Sequence, residues 1–182
     1  MSLDMMPDLL RTKMEIGLSL GSNLGNRLQN IKAAKKIIFA VGNIAFVAQS
    51  SVYETEPIDV PAADAGLPFL NAILIVKTAL RAPELLELFK GIELQMGRAP
   101  ASPANSRRPI DIDVIYAGNL RLESGPVTIP HPRWFQRRFV LMPLNDVRPD
   151  LVIPGRTATV NEILRDITDK HRVTLSIAAD KW

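Results

Sequence analysis

The chain has no cysteine among its 182 residues. Disulfide scaffolding, thiolate nucleophiles and zinc–thiolate centres are therefore excluded. It has two histidines, His131 and His171, too few for a histidine-built metal site. Aromatic residues are scarce, with two Tyr and two Trp, so little material exists for the ring-bearing sheet of a single-strand RNA-binding module. No run of eighteen apolar residues suggests a membrane-spanning helix. The first fourteen residues, interrupted by Asp4 and Asp8, lack the compact apolar core of a secretory leader. A net charge of +3 is too small to imply nucleic-acid binding by itself. There is no Gly-Lys-Ser/Thr loop and no GxGxxG, which disfavours P-loop kinases and dinucleotide-binding enzymes. The expectation is a cytoplasmic protein that engages neither membrane nor nucleic acid.

What is present is ordinary globular material, 47% apolar and 23% charged. Its length suits one core. Residues 1–13 read as a flexible extension and 14–182 as a single domain. Fourteen prolines predict several rigid loops. Glu15 to Gly21 alternates as a strand with Ile16, Leu18 and Leu20 on one face; Gly17 within it points to a bulge or a close backbone approach. Asn26 with Gln29 resembles a capping box for a helix carrying Leu28, Ile31, Ala34 and Ile38, with Gly42 as its stop. Ile44 to Tyr53 reads as extended, and 54–69 as a long proline-bearing loop. Asn71 to Thr78 suits a buried strand. Pro83 can begin a second helix with Leu85, Leu86, Phe89, Ile92 and Met96 inward, ending at Gly97. The stretch 98–108 reads as a loop. Ile110 to Tyr116 alternates, with Ile110, Ile112, Val114 and Tyr116 on one face and Asp111 and Asp113 on the other. Phe139 to Leu144 forms a further apolar element. Thr159 with Glu162 caps a short amphipathic helix, and Val173, Leu175 and Ile177 suggest a late strand. The central order β-α-β-β-α-β is the α+β, ferredoxin-like pattern of one antiparallel sheet with helices against one face.

The sharpest chemical signal is Asp111 and Asp113. Alternation in a strand puts both carboxylates on one face, with Cα atoms roughly 6.6 Å apart. Like charges held together repel unless a cation lies between them, and hard divalent ions favour carboxylate and phosphate oxygens. The alternative is a pair of solvent-facing aspartates on an edge strand. Arg98, Arg107 and Arg108 precede this strand and Arg133, Arg137 and Arg138 follow it. Bases flanking an acidic pair suit a metal-bound polyphosphate, while any one of them could equally be a solvated surface charge. His131, in Pro130-His-Pro132, could donate to a phosphate or be structural, and His171 reads as a surface residue near a helix end. Asn71 could read the polar edge of a heterocycle or cap a turn. Phe69 and Phe139 could stack on a flat ligand or pack in the core.

Taken in order, several blocks resemble the 6-hydroxymethyl-7,8-dihydropterin pyrophosphokinase family. They are Leu18-Ser-Leu-Gly-Ser-Asn-Leu-Gly25, Ser51-Val-Tyr-Glu-Thr-Glu-Pro57, Phe69-Leu-Asn-Ala72, Ile92-Glu-Leu-Gln-Met-Gly-Arg98, Arg108-Pro-Ile-Asp-Ile-Asp113, Ile129-Pro-His-Pro132 and Arg137-Arg-Phe-Val-Leu-Met-Pro-Leu144. The resemblance implies a three-layer α/β/α fold on a ferredoxin-like core, with a central antiparallel sheet. It implies transfer of pyrophosphate from ATP to a pterin hydroxymethyl group, with AMP as by-product. By the same resemblance, Asp111 and Asp113 would bind two Mg²⁺ ions. Arg98 and Arg108 would act on the phosphates, and Glu93, His131 and Arg137 would also belong to the ATP site. Thr55, Phe69, Asn71 and Phe139 would bind the pterin. The implied partners are ATP and a reduced pterin, and the chain is expected to act as a monomer. It departs from many relatives at Pro100, Ala104 and Asn105, where further arginines and a Trp are common, and at Glu56, where Pro is common. The rival readings are another metal-dependent phosphoryl or nucleotidyl transferase on the same core, and a non-catalytic nucleotide- or RNA-binding module.

Overall fold

A computed structural model describes residues 12–58, 60–99, 106–124 and 127–182. Most of the extension at 1–13, and Pro100, Ala104 and Asn105, lie outside the described residues. The strands are β1 (Met14–Ser22), β2 (Ile44–Gln49), β3 (Val52–Thr55), β4 (Phe69–Thr78), β5 (Asp111–Ala117), β6 (Leu122–Ser124), β7 (Val127–Ile129) and β8 (Val173–Ile177). The helices are α1 (Arg27–Ala40), α2 (Ala82–Gln95), α3 (Arg138–Val147) and α4 (Val160–Asp166). One antiparallel sheet runs β5-β1-β4-β3-β8, with β2 also paired to β4, and β6-β7 form a separate hairpin. Among the described residues no helix is long and apolar enough to cross a membrane.

Local signals explain most of these elements. Asn26 accepts a bond from the Gln29 amide and starts α1, whose Ile31, Ala34 and Ile38 are buried. Gly42, at φ 82°, takes up the left-handed turn just beyond its end. Thr159 and Glu162 cap α4 reciprocally. β4 is apolar nearly throughout because it is covered on both faces. Leu74 and Val76 join Ile16, Leu18, Leu20, Leu85 and Phe89 in one core. Ile73 and Ile75 join Val140, Leu141, Leu144 and Val160 in a second.

That second core corrects the one-sided arrangement expected from the strand and helix order. α1 and α2 cover one face of the sheet, α3 and α4 the other, and the molecule has the three layers implied by the resemblance. The single extended stretch expected over 44–53 is two strands along the same edge of β4. They are separated at Ser50, whose amide and hydroxyl both bond the backbone of Ile73. The β6-β7 hairpin has no counterpart in the pattern reading.

Tyr116 also differs from expectation. Gly17 pairs with Tyr116 but Leu18 pairs with Val114, so one extra residue is accommodated there. This bulge turns Tyr116 into the second core while Ile112 and Val114 stay in the first. A Cβ on Gly17 would lie 2.2 Å from the Tyr116 ring. The glycine is therefore required by a close approach, as its place within a strand suggested. Tyr116 donates to Glu15 at 2.7 Å, and Arg148, just beyond α3, grips both oxygens of the same carboxylate. The sheet and the second helical layer are thereby joined by polar as well as apolar contacts.

Candidate active site

The register of three strands brings the key positions side by side. Asp111 lies opposite Gly21, and Gly21 opposite Asn71; Asp113 lies opposite Ser19. All of these except Gly21 carry polar side chains, on the sheet face that opens into a cavity of about 550 Å³. Gly21 keeps the floor low, since a Cβ there would stand 3.1 Å from Asn71 Oδ1. Thr55, at the end of β3, and Phe69, at the start of β4, pair with one another and close one side. Arg137 and Phe139, around the start of α3, close another. Every site residue implied by the resemblance lines this cavity except Glu93; of the other flanking bases, Arg133 lines it while Arg107 and Arg138 do not.

Glu93 is buried behind the wall. It accepts from the amide of Ile112, between the two aspartates, at 2.7 Å. It also pairs with Arg98 at 2.7 Å. Arg98 in turn reaches Asp111 Oδ1 at 2.6 Å, and Arg108 reaches Asp111 Oδ2 at 2.9 Å. α2 is thus tied to β5 by a carboxylate on a backbone amide, and the two arginines are set by the carboxylates between them. Burial raises the Glu93 carboxyl, against the lowering effects of the Ile112 amide and Arg98.

The two aspartates are not equivalent. Asp111 has an arginine on each oxygen. No cation among the described residues comes within ion-pair distance of Asp113. Desolvation, and then the negative charge of Asp111, lift its carboxyl well above the usual range, with Arg137 and Arg108 opposing. Such a carboxylate gains from any cation brought into the cavity. Among the described residues no group of three or more His, Cys, Asp or Glu side chains converges as a metal cage. Two carboxylates facing an open cavity are nonetheless the donor set with which Mg²⁺ is commonly held, its other positions being filled by water and phosphate oxygens.

His131 is fixed by its own backbone. Its amide bonds the carbonyl of Ile115 at 3.0 Å, and its Nδ1 accepts from the amide of Arg133 at 3.2 Å. That leaves the proton on Nε2 in the neutral ring. Burial, then Arg137 and Arg133, push its pKa down to about 4, so at neutral pH it is an uncharged donor. Arg108 stands over the Phe69 ring at 5.8 Å, and Arg137 over Phe139 at 5.4 Å. Among the described residues, the buried Arg108 Nε and Asn23 Nδ2 have no hydrogen-bond partner. Asn71 is the third residue of β4 and caps no turn. Its Nδ2 donates to Thr55 Oγ1 at 2.7 Å, which leaves Oδ1 as its free acceptor.

The pattern reading missed several residues. Asp64, in the loop between β3 and β4, is buried and accepts from the amide of Arg107 at 3.0 Å, tying that loop to the segment leading into β5. Asn23 Oδ1 accepts from the amide of Arg108 at 2.8 Å. Thr168, Asp169 and His171 line the cavity; His171 is exposed and follows the end of α4, as expected, but its place at the rim of the site was not read. No local signal marks them, because the return of β8 alongside β3 carries this segment to the site.

Residues 17–149 match the family model described as 7,8-dihydro-6-hydroxymethylpterin-pyrophosphokinase (HPPK). A folate synthesis bifunctional protein of Arabidopsis thaliana is 39% identical over 133 residues, which is 73% of this chain and 27% of that protein. A 2-amino-4-hydroxy-6-hydroxymethyldihydropteridine pyrophosphokinase of Porphyromonas gingivalis is 38% identical over 136 residues, covering 72% of this chain and 89% of that one. The chain thus spans about a quarter of the length of the bifunctional plant relatives. Among solved structures, wild-type HPPK-DHPS of Plasmodium falciparum with pteroate has a similar fold. Its TM-score is 0.64 at 15% identity, covering 85% of this chain and 42% of that one.

Proposed function

This chain belongs to the 7,8-dihydro-6-hydroxymethylpterin-pyrophosphokinase family, and from that premise we propose that it transfers the terminal pyrophosphoryl group of ATP to the hydroxymethyl group of 6-hydroxymethyl-7,8-dihydropterin. The products are the pterin diphosphate and AMP. The observation that carries this reading is the shared cavity. An acidic pair on β5, held by arginines from the segments before it, lies across β1 from the amide of Asn71 on β4, with two phenylalanines in the same cavity. A polyanion and a flat polar heterocycle can be seated there side by side.

In this reading the hydroxyl oxygen attacks the β-phosphorus and gives up its proton to solvent, and the bond from that phosphorus to the α–β bridging oxygen breaks, so that AMP leaves with that oxygen. An alcohol is a weak nucleophile, so positioning and charge neutralisation carry most of the rate. Asp111 and Asp113 would hold two Mg²⁺ ions, which supply positive charge to the phosphate oxygens. Each Asp111 oxygen keeps a lone pair beyond its arginine bond, and Asp113 has no ion-pair partner among the described residues. Arg98 and Arg108, pinned through Asp111 and Glu93, present fixed donors to the transferred group. Arg137 adds a further positive charge, while neutral His131 offers its Nε2 proton to a phosphate oxygen. Phe69 and Phe139 would sandwich the pterin, and Asn71 Oδ1, oriented by Thr55, would accept from its ring edge.

The test is product analysis after incubation with ATP, Mg²⁺ and 6-hydroxymethyl-7,8-dihydropterin. Pterin diphosphate and AMP should appear in equal amount. ADP with a monophosphorylated pterin would refute the bond cleavage. Transfer to a different pterin alone would overturn the assigned acceptor.

A further inference from the structure

One wall of the cavity has no part in the chemistry described above. Thr168, Asp169 and His171 line it, yet they follow α4, beyond the residues 17–149 that match the family. Their placement is well defined. Val173 of β8 pairs with Thr55 of β3, and the pairing runs on through a backbone bond from the Glu56 amide to the Arg172 carbonyl and a bond from the Arg172 amide to the Glu56 carboxylate. At the other end, Asp169 Oδ2 accepts from the amide of Arg138, the first residue of α3, at 2.8 Å. Asp169 Oδ1 accepts from the amide of His171 at 3.0 Å and bonds the ring Nδ1 of the same residue. The segment is therefore strung between Thr55 and the start of α3, beside Phe139.

This bonding also decides what the imidazole can offer. A ring whose Nδ1–H is given to a carboxylate presents Nε2 as an acceptor in its neutral form. Asn71, across the same cavity, gives one amide hydrogen to Thr55 and keeps Oδ1 as a further acceptor. Two acceptors beside stacking rings suit a heterocycle whose edge is rich in N–H donors, such as an amino group next to a ring N–H. We infer that His171 is a specificity-determining contact for the heterocyclic acceptor, and that Asp169 is a positioning residue acting through it. This rests on the functional reading above and assigns a further part of the same site.

The test compares the full chain with His171→Phe, which keeps ring bulk but no polar atom, and with Asp169→Asn, which keeps an acceptor for the Arg138 amide. Affinities are measured separately for 6-hydroxymethyl-7,8-dihydropterin and for α,β-methylene ATP. His171→Phe should weaken pterin binding by about 5- to 10-fold while nucleotide affinity stays within about 2-fold, the effect of one lost hydrogen bond at a partly exposed site. The double variant should be no worse than His171→Phe alone, because Asp169 works through the ring. Unchanged pterin affinity in His171→Phe overturns the contact, as does an equal loss for both ligands. Additive losses in the double variant overturn the positioning role. A wild-type chain that binds the nucleotide analogue but not the pterin overturns the functional reading, and this assignment with it.

Discussion

The two walls of the cavity are built in opposite ways. The β5 wall is interlocked: Glu93, Arg98, Arg108 and Asp111 form one chain of ion pairs, anchored to the strand by the amide of Ile112. The wall from 168 to 172 hangs on a few bonds to Glu56 and to the first amide of α3. One is held rigid by low-dielectric electrostatics, where each bond supports the next. The other is exposed and depends on the pairing of a short edge strand. A phosphoryl-transfer centre needs groups held to a fraction of an ångström, whereas recognition of a substrate edge tolerates more variation. The interlocked wall falls within the family match and the looser wall falls outside it.

The largest expected break in this contrast is at Asp113. Asp113→Asn removes the carboxylate that, unlike Asp111, has no arginine within ion-pair distance among the described residues, and should lower turnover on the order of 10³-fold. Circular dichroism should stay unchanged, because Ile112 and Val114 carry the packing. Turnover close to wild type at saturating Mg²⁺ would remove the metal assignment.

Next is Glu93→Ala, which separates the support of the interlocked wall from its chemistry. It leaves the Ile112 amide without its partner and Arg98 without one of its two, and should cost about 1–3 kcal/mol in a denaturant titration. A loss of nucleotide affinity with no loss of stability would show instead that Glu93 contacts the ligand directly.

Beneath the site, Gly17→Ala pushes a methyl against the buried Tyr116 ring. About 1–3 kcal/mol of destabilisation is expected, and an unchanged melting temperature would show that the bulge can relax. Glu15, in the same cluster, makes a weaker and pH-dependent contribution. Its carboxyl is held below the ordinary 4.5, chiefly by its bond to Arg148. The stabilisation is thus complete above 4.5 and disappears as pH falls through the lowered folded value. Wild type should be more stable than Glu15→Gln at neutral pH, and the gap should close in acid; a gap that persists there would deny the ionic origin.

The smallest effect belongs to the looser wall. The Glu56–Arg172 pair is long, at 3.6 Å, and exposed, so Glu56→Ala should change stability by within about 0.5 kcal/mol. A loss comparable to that of Glu93→Ala would erase the distinction between the walls.

Much of the β5 wall was legible because it obeys short-range rules. Alternation put Asp111 and Asp113 on one face, and arginines close by in the chain supplied the opposite charge. Caps at Asn26 and Thr159, and the glycine at position 17, were readable for the same reason: each is a local steric or hydrogen-bonding requirement. The inequality of the two aspartates was not readable, since it follows from which carboxylate the arginines reach and which is desolvated. Nor were the buried position of Glu93 behind the wall, the turn of Tyr116 into the second core, or the arrival of His171 at the cavity. The sequence by itself determined the elements, the acidic face and the order of the family's blocks, because these depend on residues within a few positions of one another. Only the tertiary structure decided where the second helical layer docks and how the wall from 168 to 172 reaches the site. That wall depends on β8 pairing with a strand more than a hundred residues earlier, an energy summed over contacts that no local spacing encodes.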